Sequence, residues 1–109
     1  MQNEKYFISV SEPWNFENVD GRNIIEGKIL NIKSNKCLVF KSNYNLKFDN
    51  VSGDILILFP RYKENNFSDM KRRIDINGGL LLETYIENFS EKELENKSKF
   101  VIIGSIRKD

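Results

Sequence analysis

The chain contains no histidine and no alanine, and its 109 residues include one cysteine and two prolines. The missing histidine removes the commonest general acid/base, the commonest transition-metal ligand and the side chain that titrates near neutral pH. Because Cys37 is the single cysteine, an internal disulfide is excluded, and a reduced thiol fits a cytoplasmic protein. We therefore expect no catalytic activity, no bound metal and no cofactor.

The sequence also lacks a charge excess of either sign and a long hydrophobic run. It has 17 basic and 16 acidic residues, whereas a general nucleic-acid-binding domain carries a marked basic excess. No apolar segment is long enough to span a bilayer, and the N-terminus has no signal-peptide pattern. These features predict a single soluble domain over residues 1–109, located in the cytoplasm and not at a membrane.

The residues that are abundant favour β-strands. Ile, Val, Phe, Tyr and Leu dominate the apolar set, and Ala, the best helix former, is missing. Apolar residues alternate with polar ones from Tyr44 to Phe48, and 54–62 is a nearly continuous apolar run. Gly27 interrupts a predicted strand, where a glycine often marks a bulge or a tight bend. We predict strands at 6–10, 24–33, 37–41, 44–48, 54–62, 73–76, 80–86 and 100–107.

Short connections between these segments predict an antiparallel fold. Asn77-Gly78-Gly79 lies between two apolar runs, which is a typical hairpin signal. Ser90 and Glu93 form a capping box, which predicts one short helix ending near Lys97. The expected fold is mainly β, of the α+β type. It is a small, strongly twisted antiparallel sheet or an SH3-like or OB-like barrel with one short helix in the C-terminal half.

Two groups of side chains are candidates for chemistry, and neither predicts catalysis. Cys37 begins an apolar strand and has no His to activate it, so we expect a buried structural thiol. The acidic residues Glu12, Glu17, Asp20 and Glu26 match no metal-binding or glycosidase spacing. A solvated acidic loop is the first interpretation of these carboxylates, a surface for a partner is the second, and acid/base work is the third.

The segment from Val10 to Asn23 holds the single tryptophan of the chain. Trp14 and Phe16 are on the same side of an extended segment and could cover one end of a barrel. Alternatively, they are exposed among Glu12, Glu17 and Asp20 and dock a basic partner, since Trp is enriched at interfaces. The sequence leaves both alternatives open and favours the first.

Basic and aromatic residues suggest a second kind of partner. Tyr44, Lys47, Arg61, Arg72 and Arg73 are the residues that a nucleic-acid-binding barrel would use, by base stacking and phosphate contacts. However, Tyr44 shares its predicted face with Leu46, which is more typical of a core than of a stacking surface. Nucleic acid is therefore the alternative partner and not the first one.

A single domain of this size, rich in Asn, Lys and Ile and without a catalytic set, resembles bacterial immunity proteins of toxin–immunity systems. The resemblance implies one-to-one binding and neutralisation of a cognate toxin protein inside the producing cell. The acidic patches available for this are the loop at 12–20 and the helix. The expected partner-binding residues are Glu12, Trp14, Phe16, Glu17, Asp20, Glu91 and Glu95.

Overall fold

The computed structural model describes residues 5–10, 24–48, 50–68, 70, 72–83, 86–98 and 101–108. These residues form six strands and one helix. The elements are β1 (Tyr6–Val10), β2 (Ile24–Lys33), β3 (Cys37–Phe48), β4 (Val51–Pro60), β5 (Ile74–Leu80), α1 (Glu91–Lys97) and β6 (Ile102–Lys108).

The six strands close into an antiparallel barrel in which the order around the barrel is the order along the chain. Closure is made by β1, which pairs with β2 on one side and with β6 on the other. This confirms the predicted small β-barrel with one short helix. In a closed barrel every strand has two neighbours, so the pairing leaves no sheet edge exposed.

The barrel interior holds the larger of two hydrophobic cores. Alternate residues of each strand point into it, as the period of two along a strand requires. Ile8, Phe40, Leu58, Ile76 and Ile106 are fully buried there.

The second core lies on the outer face of β3 and β4. These strands carry apolar residues on both faces, and their outward residues Val39 and Ile57 are fully buried together with Cys37. Leu94 of α1 and Leu81 pack on them. The helix therefore covers the apolar outer face of β3 and β4.

The capping box of α1 is confirmed. The Ser90 side chain accepts a hydrogen bond from the Glu93 N–H, and the Glu93 carboxylate accepts one from the Ser90 N–H. Leu94, the single apolar residue of α1, is fully buried in the second core. The helix is thus a packed part of the fold and more than a surface connection.

The predicted hairpin at Asn77-Gly78-Gly79 is wrong, because these residues lie inside β5. A Cβ at Gly78 would overlap the backbone carbonyl of Ile57 in β4. The glycine is therefore required by the close approach of two strands and not by a turn. The predicted strand at 80–86 is also wrong, because β5 ends at Leu80, and segments 37–41 and 44–48 form the single strand β3.

The irregularity expected at Gly27 lies three residues further along β2. The register between β2 and β3 shifts between Ile29 and Asn31, so Leu30 is the extra residue of a bulge. Gly27 is a second position of close approach, because a Cβ there would overlap the carbonyl oxygen of Lys41.

Candidate binding cleft

Because the neighbouring strands are antiparallel, the connections alternate between the two ends of the barrel. We call the end with the β2–β3 turn at 34–36 and the β4–β5 connection at 61–73 the lower end. The upper end has the β3–β4 turn and the residues Val10 and Ile24.

The β2–β3 turn has three residues, 34–36, between the paired residues Lys33 and Cys37. Its central residues Ser34 and Asn35 have φ angles of 56° and 55°, and the Lys36 N–H donates to the Lys33 carbonyl at 3.1 Å. Both positive φ angles fit a type I′ turn, which matches the twist of the flanking strands. Asn tolerates this conformation better than Ser does, so the backbone strain lies mainly at Ser34.

The β4–β5 connection folds over the lower end of the barrel. Phe67, in the middle of this polar segment, is 1% exposed and belongs to the interior core. Its N–H donates to the Asn35 carbonyl at 3.5 Å, which links the connection to the hairpin turn. Sequence reasoning missed this residue, although a large aromatic side chain within a polar run was a signal for it.

A cleft of about 800 Å³ lies at the lower end, bounded by the hairpin turn, the β4–β5 connection and α1. Polar and charged side chains dominate its lining, with Phe59, Pro60 and Tyr62 as the apolar part. This volume falls in the range of ligand and peptide sites.

The cleft brings charges of both signs together without pairing them. Glu91 and Glu95 come from α1, whereas Lys36, Arg61 and Lys63 come from the turn and the connection. The three ion pairs among the described residues are Lys5–Glu26, Lys41–Asp54 and Lys97–Glu83, so none of them involves the cleft.

Glu91 has the least satisfied carboxylate of the described residues. Its Oε2 atom is buried and has no hydrogen-bond partner among them. A buried carboxylate oxygen without a donor is costly, and such groups are rare in folded proteins. Glu91 is the first residue of α1, where the helix dipole favours a negative charge. A donor supplied by a bound molecule would complete this site.

The thiol of Cys37, the single cysteine of the chain, is unreactive. Cys37 is fully buried in the second core. This burial, and then the negative charge of Glu91, raise the pKa of Cys37 from 9.0 to about 12. The thiol is therefore protonated at neutral pH, and the expectation of a buried structural cysteine is confirmed.

An exposed aromatic side chain stands at the cleft. Tyr62 is 45% exposed, and the guanidinium of Arg61 lies 5.7 Å from the centre of its ring. Stacking on the ring holds the guanidinium in place while leaving its N–H groups available to a partner.

Two of the seven expected partner-binding residues, Glu91 and Glu95, lie together in the cleft. The other five, Glu12, Trp14, Phe16, Glu17 and Asp20, lie outside the described residues, so both alternatives for Trp14 stay open.

The residues expected for nucleic-acid binding do not form one surface. Arg61, Arg72 and Arg73 are on the β4–β5 connection or beside it, at the lower end. Tyr44 and Lys47 lie in the part of β3 that runs to the upper end. Tyr44 is 43% exposed although Leu46 is fully buried, because the β3–β4 register shifts between Lys41 and Leu46.

Within the described ranges, no group of three or more Cys, Asp or Glu residues is placed to hold a metal ion. No helix in that part of the chain has the length and apolar character needed to cross a bilayer. Comparison with protein-family models, with curated proteins and with solved structures gave no match.

Proposed function

We propose that this protein is a non-catalytic binding protein, an immunity protein that binds and neutralises a cognate bacterial toxin in the cytoplasm. The observation that carries the proposal is the cleft at the lower end. There Glu91 and Glu95 share one cavity with Lys36, Arg61 and Lys63, and no ion pair joins them.

The charges of the cleft support a protein as the partner. Unpaired charges of both signs suit a surface that itself carries both signs, and complementary charges speed association and exclude wrong partners. The buried Oε2 atom of Glu91 lacks a donor. A lysine or arginine side chain of the toxin that enters the cleft would supply one.

The side chains of the cleft also support binding over catalysis. The chain has no histidine, and the Cys37 thiol has a pKa of about 12. The lysine, arginine and carboxylate side chains of the cleft are suited to binding charged groups of a partner.

The proposal is tested with the product of the gene next to the one that encodes this protein. That product is expressed in a bacterial host with and without this protein, and growth is measured. We expect growth arrest that co-expression relieves, together with a one-to-one complex in calorimetry. A neighbouring product that does not inhibit growth, or one whose toxicity persists on co-expression, would contradict the proposal.

The role of the cleft is tested by reversing a charge. Glu95→Lys should weaken toxin binding by about tenfold or more, because an attractive contact becomes a repulsive one. Glu87→Lys is the matched control, since Glu87 is also exposed and does not line the cleft. Equal affinities of the two variants would show that the toxin binds elsewhere.

Nucleic-acid binding is the second candidate, and the Arg61–Tyr62 stack is the observation that favours it. An exposed aromatic ring beside basic side chains can stack on a base. This candidate predicts oligonucleotide binding whose affinity falls steeply between about 50 and 200 mM salt. Fluorescence anisotropy with single-stranded and double-stranded oligonucleotides measures it, and micromolar, salt-sensitive binding would displace the toxin-binding proposal.

A further inference from the structure

The near-neutral chain is strongly asymmetric in charge. Segments 33–36 and 61–73 contain seven basic and two acidic residues, against ten basic and fourteen acidic residues in the rest of the chain. In the sequence these segments lie far apart, so no single run of basic residues marks them. The fold brings both to the lower end of the barrel.

We call six basic side chains of these segments the basic rim: Lys33, Lys36, Arg61, Lys63, Arg72 and Arg73. All of them except Lys33 are exposed. None takes part in the three ion pairs of the described residues. Like charges gathered without partners repel one another and raise the local positive potential.

We propose that the basic rim binds an acidic face of a partner protein. One basic side chain of that face enters the cleft beside the rim. This inference rests on the proposed function, because it names the chemistry of the toxin surface. The rim supplies the long-range attraction, and the cleft with Glu91 and Glu95 supplies a local contact of the opposite sign. Such an arrangement fixes orientation as well as affinity.

Three observations favour a protein over a nucleic acid at this surface. Glu91 and Glu95 lie beside the rim, and a protein surface can offer them a basic side chain, whereas a phosphate backbone cannot. The net charge of the chain is only +1. Among the described residues that line the cleft, Tyr62 is the one exposed aromatic side chain. A single-stranded site uses several such rings in succession.

The test uses two probes of equal length and the full-length protein. One is a fluorescein-labelled peptide of alternating Asp and Tyr residues, and the other is a labelled oligothymidylate. Lys63→Glu/Arg73→Glu reverses two charges of the rim. Lys28→Glu/Lys92→Glu is the matched control, since it reverses two exposed charges, on β2 and α1, that belong neither to the rim nor to the cleft lining. All four side chains are on the surface, and circular dichroism verifies that both variants fold.

We expect the peptide to bind the wild-type protein and the control more tightly than the oligothymidylate does. The rim variant should lose about tenfold in affinity for the peptide. The inference would be overturned if the peptide did not bind, or if the oligothymidylate bound more tightly than the peptide. It would also be overturned if the rim variant and the control lost equal affinity for the peptide.

The same variants separate this inference from the proposed function. If the wild-type protein neutralises the toxin and the rim variant does so equally well, the rim is not the docking surface and the immunity function stands. If no toxin is neutralised while the peptide binds at the rim, the immunity function fails and the acidic-partner surface stands.

Discussion

At the scale of single residues, two glycines are required because neighbouring strands approach each other closely at their positions. Gly78 and Gly104 lie where a Cβ would overlap a carbonyl oxygen of the neighbouring strand, on Ile57 and Ser9 respectively. Their lack of a side chain permits the close approach of the neighbouring strands at these two positions. The chemistry of Cys37 follows from burial in the same way, because the apolar core excludes the thiolate.

Gly78→Ala should lower the free energy of unfolding by about 1–3 kcal/mol, because the added methyl group meets backbone atoms that cannot rotate away. Urea denaturation followed by circular dichroism measures the change. Gly53→Ala is the control, since its nearest neighbour would be the Leu81 carbonyl oxygen at 3.8 Å, an ordinary contact. A loss at Gly53 as large as that at Gly78 would contradict the explanation.

Cys37 should make stability fall at alkaline pH. Its folded-state pKa of about 12 exceeds the ordinary value of 9.0, so above pH 9 the unfolded chain loses its thiol proton first and is favoured. Relative to Cys37→Ala, the free energy of unfolding of the wild-type protein should drop by about 1 kcal/mol by a pH of about 10. Urea titrations of both proteins between neutral pH and this value measure it; a constant difference would disprove a buried, protonated thiol.

At the scale of elements, the apolar contact between α1 and the barrel is made by one side chain of the helix, Leu94. Leu94 is fully buried against Val39, Ile57 and Leu81 on the outer face of the barrel. The helix is only seven residues long, so its own hydrogen bonds do not keep it folded in isolation. The wall of the cleft that carries Glu91 and Glu95 therefore depends on this contact.

Leu94→Ala should cost about 2–5 kcal/mol of stability through the cavity that it leaves in the second core. Toxin or peptide binding should weaken as well, because the helix no longer positions its carboxylates. The control is Leu82→Ala, since Leu82 is 61% exposed. Thermal unfolding and binding are measured together, and a Leu94 variant as stable as the Leu82 variant would exclude the packed role of α1.

Sequence patterns predicted most elements, and their failures have identifiable causes. The capping box predicted α1, and the apolar run at 54–62 predicted β4, because both signals are local. The prediction of a hairpin at Asn77-Gly78-Gly79 failed because a glycine indicates a turn and a close contact between strands equally well.

The cleft could not be predicted, since it joins the turn at 34–36, the connection at 61–66 and α1, which meet only after the barrel closes. Glu91 and Glu95 were predicted as partner-binding residues because of their charge, without any indication of the basic residues beside them.

At the scale of the whole molecule, closure of the barrel decides both stability and charge distribution. The pairs Tyr6↔Lys108 and Val10↔Gly104 join the first strand to the last. This pairing removes the two edges that an open six-stranded sheet would have, and with them its tendency to pair with other chains. It also fixes which connections meet at the lower end, where the basic rim lies.

Amide hydrogen exchange should reveal this closure. Because β1 and β6 are not edges, their amides, including those of Ile8 and Ile106, should be protected about as strongly as the amides of β3 and β4. Mass spectrometry or NMR in deuterated buffer measures this directly. Fast exchange confined to β1 and β6 would show that the barrel is open between them.

Because α1 packs on the outer face of β3 and β4, ligand binding in the cleft is also coupled to the local unfolding of α1. A ligand in the cleft contacts both the barrel and the helix, so it binds only the conformations in which α1 is docked. By mass action it must then lower the frequency with which α1 detaches, whatever its effect on the barrel as a whole. The slowing of proteolytic cleavage at the α1 lysines, Lys92 and Lys97, is thus a readout by which ligands of this protein can be recognised before their identity is known.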